Sequence, residues 1–223
     1  MRVMPENKKP GIEQLQDDKT YCLVKSLKHD EIVEFVTGEL KKLRWPIVTF
    51  YIFNSVLLLL ITAVTAANVF YELMPWRVHL TGLFAGTAAG ILLVIPFHEG
   101  LHGLAYRIAG ARKIRYGMDL RQMLFYASAP GFVAGRNDFM VVAFLPFTVI
   151  NLFFIAIIIT GQQFMQWTSL VALFMHSTMC IGDFAMINFM ARFSGKDIYT
   201  YDDPGSETSY FYIRSWGLSQ YFY

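Results

Sequence analysis

His98-Glu99-Gly100-Leu101-His102 places two imidazoles and a carboxylate where a long apolar stretch runs out. On a helix, His98 and His102 are four residues apart and lie one turn above each other on the same face. Two imidazoles so placed can share one Zn²⁺, leaving room for a water and one more protein ligand. Glu99 then serves as the general base for the metal-bound water. The residues before the motif, Val94, Ile95, Pro96 and Phe97, are apolar, and ionisable groups at membrane depth are functional candidates by default.

Two histidines do not close a zinc site. Asp183 is the expected third ligand, because a lone carboxylate inside the apolar run Cys180-Ile181-Gly182-Asp183-Phe184 is expensive unless paired or bound to metal. Gly182 is expected to let two helices approach closely. The other readings of Asp183 are a hydrogen-bonded polar residue between helices and a partner for an arginine. His176, two turns before Asp183, is expected as an interhelical hydrogen-bond partner and is the reserve ligand. Cys180 reads as a small buried apolar residue, with a thiolate ligand as the alternative. His29 and His79 stand alone and read as ordinary surface or interface residues.

The elements that must position these groups are membrane helices. Of 223 residues, 55% are hydrophobic and only 16% charged, against about 25% charged in a soluble domain. A net charge of +2 without a basic-aromatic stripe speaks against nucleic acid. Cys22 and Cys180 are far apart and unlike in context, so a disulfide framework is not expected. The polar first 46 residues contain no apolar core, so no cleavable signal is expected and the first apolar span should remain as an anchor.

Four spans are expected, at about 47–70, 78–97, 139–160 and 167–190, each near the ~20 residues that cross a bilayer. Trp45, Trp76 and Trp167 fall at their ends, where interfacial tryptophans sit. The chain then divides into a leader (1–46), a four-span domain carrying the metal site (47–193, with a loop at 110–138) and a tail (194–223). In the leader, a short strand is expected at Thr20–Leu27, and residues 30–44 form an amphipathic helix read as a small cap on the membrane. Nine Lys/Arg in the leader, from Arg2 and Lys8 to Arg44, and six between spans two and three contrast with Arg77 alone in the two short loops. The positive-inside rule puts both termini and the middle loop in the cytoplasm, so the protein is expected as a multi-pass plasma-membrane protein.

From Arg112 to Ser128 apolar Ile114, Tyr116, Met118 and Leu120 alternate with charged Lys113, Arg115, Asp119 and Arg121, and the run from Met123 follows. That pattern predicts a β-hairpin or re-entrant segment beside the motif, broken by Ala129-Pro130-Gly131. It reads either as an edge that pairs with an extended substrate or as a structural lid.

Over roughly residues 78–210 the chain resembles the zincin-type peptidases of bacterial membranes, distant relatives of the site-2 intramembrane metalloproteases. The matching parts are HEGLHGLAYRIAG from His98, the β-rich loop with Pro130, the third span with Pro146, Gly182-Asp183, and Asp202-Asp203-Pro204 before an aromatic run. The order Gly182-Asp183, with no proline nearby, departs from the Asp-Gly pair of the site-2 pattern. The expectation is an α-helical integral membrane protein of about four transmembrane helices with a small β-hairpin after the HEGLH helix. It would hydrolyse a peptide bond of a membrane or membrane-proximal protein, with Zn²⁺ on His98, His102 and Asp183 and Glu99 as base. The alternatives are a non-catalytic scaffold or metal-binding regulator, and a transporter, which four spans without an inverted repeat disfavour.

Overall fold

Apolar length settles the architecture of the computed structural model, which describes residues 9–17, 19–119, 124–203 and 205–215. Helix α1 (Ile12–Leu15) and helix α2 (Ile32–Leu40) belong to the leader. Helix α3 (Trp45–Tyr71) has 27 residues and α6 (Arg136–Thr160) has 25. Helices α4 (Trp76–Ala88) and α5 (Val94–Ile108) are joined by a π turn at Ala89–Leu93 into one 33-residue helix. Pro96 has no N–H for the carbonyl four residues back and its ring crowds that carbonyl, so a widened turn just before it relieves the clash. Helices α7 (Gln163–Met179) and α8 (Ile181–Ala191) meet at Cys180 with a bend of 44°. Among the described residues, three helices are thus long and apolar enough to cross a membrane, and the bent pair makes a fourth span if taken together. The second span continues through the motif to Ile108, beyond the expected end near Phe97.

Val56, Leu58, Leu59 and Leu60 of α3 are exposed, an apolar surface too large for water and suited to hydrocarbon. The inner faces pack through Leu57, Ile150, Phe154, Leu170 and Leu173. The seam with α7 is tight: Gly82 and Gly86 of α4 and Gly90 of the π turn recur every fourth residue, and each faces α7. A Cβ at Gly86 would lie 2.6 Å from the Thr168 carbonyl oxygen and 2.7 Å from Val171 Cβ. Gly86→Leu must therefore push the helices apart, and we expect it to destabilise the protein by about 1–3 kcal/mol or more. Thermal unfolding in detergent checks this, and an unchanged melting temperature would refute it. Gly182, expected to make such a contact, has open space around it. Trp167, near the start of α7, is buried, stacks on His79 at 4.4 Å and donates to the His79 carbonyl. His79 is buried in the same seam, whereas Trp45 and Trp76 are exposed.

Leader and tail meet in one antiparallel sheet ordered β1 (Tyr21–Lys28), β6 (Thr208–Arg214), β5 (Ile198–Asp203), β4 (Ala134–Gly135). The strand expected near Thr20–Leu27 is β1, and it pairs from Tyr21↔Arg214 to Lys28↔Thr208. Strands β5 and β6, both in the tail, are the two middle strands. The expected hairpin is β2 (Arg115–Asp119) with β3 (Leu124–Ser128), antiparallel with Gly117 opposite Tyr126. Leu120, Arg121 and Met123 of its expected alternation, Arg2 and Lys8 of the leader, and Pro204 lie outside the described residues.

Two polar anchors hold the cap and sheet to the helices. Glu39 of α2 is buried, accepts from Asn188 Nδ2 of α8 at 2.8 Å, and pairs with Lys42 at 2.6 Å. Arg136, opening α6, donates to the carbonyls of Met190 and Phe193 and so caps the end of α8.

Candidate metal centre

Helix α5 carries His98 and His102 on its inner face, both buried. Their rings lie 4.6 Å apart, as a spacing of one helical turn requires. The bend at Cys180 turns the first turn of α8 toward them. Asp183 sits in that turn, where free backbone N–H groups favour a carboxylate. His98 Nε2 is 3.3 Å from Asp183 Oδ2, and His102 Nε2 is 3.3 Å from Asp183 Oδ1. Ligand atoms held about 2.0–2.1 Å from a tetrahedral ion are themselves about 3.3 Å apart. Two imidazole nitrogens and a carboxylate are a donor set zinc accepts. The residues present therefore fit a zinc ion.

The far side of each imidazole is also occupied. His102 Nδ1 lies 2.9 Å from the Val142 carbonyl of α6. A carbonyl only accepts, so Nδ1 carries a proton, and Nε2 is the nitrogen that a metal beside Asp183 would take. His98 Nδ1 lies 3.1 Å from His176 Nε2. Glu99 comes within 4.8 Å of the His98 and His102 donor atoms. Its carboxylate accepts the backbone N–H of Ala127 in β3, while Oε2 is buried with no hydrogen-bond partner. A carboxylate oxygen without a donor, set beside a candidate ion site, is poised to take a proton.

These groups share a cavity of about 250 Å³. His98, Glu99, His102 and Asp183 form one wall, β3 from Phe125 to Ser128 another, and Leu27 of β1 with Ile32, Phe35 and Val36 of the cap a third. Asp202 of β5 and His29 close it from the sheet side. Burial raises the Asp202 carboxyl above the usual carboxylate range, against the Ser209 hydroxyl that donates to it at 2.7 Å. His29 and the cap were not expected here. No local pattern marks them, because the β1–β6 pairing carries them over the site. The geometry brings His98, Glu99, His102 and Asp183 together and sets His176 behind His98. Cys180 Sγ lies 3.3 Å from the His176 carbonyl one turn back, as for a donating thiol, and 3.5 Å from His176 Nε2.

This arrangement has a counterpart among known proteins. Residues 91–197 match the family model described as "Putative zincin peptidase". No match was found among curated proteins or solved structures. The zincin match spans α5, the hairpin, α6, α7 and α8, which carry all four candidate site residues. It points to a zinc peptidase. The cap and strand β6 lie outside it.

Proposed function

We propose that this chain is a zinc-dependent, membrane-embedded peptidase that hydrolyses a peptide bond at or near the cytoplasmic face of the plasma membrane. The observation that carries the reading is the convergence of His98 Nε2, His102 Nε2 and both Asp183 oxygens beside the unpartnered Oε2 of Glu99. Zinc held by those three residues would lower the pKa of a bound water and polarise the substrate carbonyl. Glu99 does the proton work. With one carboxylate oxygen held by Ala127 N–H, Oε2 accepts the proton of the attacking water as the oxygen–carbon bond forms. It then returns that proton to the amine nitrogen as the carbon–nitrogen bond breaks.

A helical substrate hides its carbonyls in its own hydrogen bonds, so the scissile segment must enter unwound. Strand β3, which lines the cavity and pairs with β2, suits an extended segment of a membrane or membrane-proximal protein. The excess of Lys/Arg in the leader and middle loop supports cytoplasmic termini. Pairing of β1 with β6, which keeps leader and tail on one side, agrees with that orientation.

The test is metal removal. Protein purified in detergent and incubated with a mixture of unstructured peptides should produce cleavage detectable by mass spectrometry. A chelator should abolish it and added zinc restore it. Hydrolysis that persists in chelator would defeat the zinc reading.

A further inference from the structure

We infer that His176 and Asn151 are positioning residues that set the tautomer and ring angle of His98, an inference that rests on the zinc-site reading above. To ligate through Nε2, a neutral His98 must carry its proton on Nδ1. That proton points at His176 Nε2, 3.1 Å away, which must then be a lone pair. The His176 proton is therefore on Nδ1, which lies 2.9 Å from Asn151 Oδ1. An amide oxygen only accepts, so one group on α6 orders the protons of both imidazoles and leaves Nε2 of His98 free for the metal.

Burial strengthens the argument. His176 is 0% exposed and Asn151 5%, and the Asn151 Nδ2 group has no partner. A leucine in that apolar helix would fill similar space with no unpaired donor, so the amide is tolerated for what its oxygen does. The two ligand histidines also differ. His102 is held by a backbone carbonyl that no substitution removes, whereas His98 depends on two side chains that can be changed.

A rival arrangement uses the same atoms. His98 Nδ1, His176 Nε2 and Cys180 Sγ lie close enough to hold an ion themselves. That would require a thiolate at Cys180 and a lone pair on Nδ1 of His98. The contact of Sγ with the His176 carbonyl is that of a thiol and opposes the thiolate, whereas the lone pair that Asn151 leaves on His176 Nε2 serves either arrangement, so the cobalt spectrum below decides between them.

The experiment is zinc affinity of the full-length, detergent-purified chain, measured by competition with a chelating dye. Absorption of the Co²⁺-loaded protein is recorded in parallel. His176→Leu removes the acceptor and should weaken zinc by about 10–100-fold. His176→Gln, whose amide oxygen can take the Nε2 position, should keep most of the affinity. Asn151→Leu should weaken zinc in the same direction, and it carries the test if His176→Leu does not fold. Wild-type affinity in the leucine variants would overturn the inference, and so would equal losses in His176→Leu and His176→Gln. A sulfur-to-cobalt band in the wild type that vanishes in Cys180→Ser would place the ion in the rival arrangement. No zinc on the wild type would overturn the metal reading itself, whereas zinc bound equally by all variants would overturn only this one.

Discussion

Glu99→Gln is expected to leave zinc content unchanged and to lower peptide hydrolysis by about 10²–10⁴-fold, the usual range for a lost general base. The substitution is nearly isosteric, so an amide can still accept the Ala127 N–H that braces this side chain against β3. What it removes is the basicity of the buried, unpartnered oxygen. Glu99 is not among the three proposed ligands, so metal content serves as an internal control. Zinc by mass spectrometry and initial rates on one cleaved peptide, measured on the same preparation, check both halves. Wild-type rates in the variant would remove Glu99 from the base role. Loss of zinc together with activity would make Glu99 a ligand or a structural support instead.

Asp183→Ala is the second large effect. With two imidazoles alone, a zinc site on this helix is incomplete. Zinc content should fall from about one per chain to near zero at micromolar free zinc, as it should in His102→Ala. The carboxylate reaches both rings at 3.3 Å, so its removal takes away the one proposed ligand that α8 supplies. Zinc retained in Asp183→Ala but lost in His102→Ala would move the third ligand elsewhere. Its position in the first turn of α8 makes the retained-zinc outcome easy to interpret, because alanine is a good helix former and should leave the backbone intact.

Much of the site was legible in residue types and spacing. The HEGLH string lies on one helix, and a spacing of four along a helix brings two side chains together whatever surrounds them. The lone carboxylate Asp183 was legible by cost, since a charge in an apolar span needs a partner. Asn151 in α6 carries the same signal more weakly, because an uncharged amide costs less in an apolar span. The alternation from Ile114 to Met118 marked the hairpin, because a period of two survives without tertiary context. The Gly82, Gly86 and Gly90 stripe is also readable as a period of four.

Other features were not legible. Trp167 sits near a span end, and only the packing of α7 on α4 decides that it stacks on His79 rather than facing lipid. The bend at Cys180 has no proline to announce it. Pairing of β1 with β6 joins residues nearly two hundred positions apart, and alternation within either strand names no partner.

The sequence by itself pointed to about four long apolar helices, each near the length that crosses a membrane, with the HEGLH string on one of them. It could do so because apolar length and helical spacing are local properties. Only the tertiary structure decided which nitrogen of each histidine faces Asp183, what stands behind His98, and that leader and tail close over the site. Those depend on where helices cross and strands pair, and contacts between distant segments leave no periodic trace in either one.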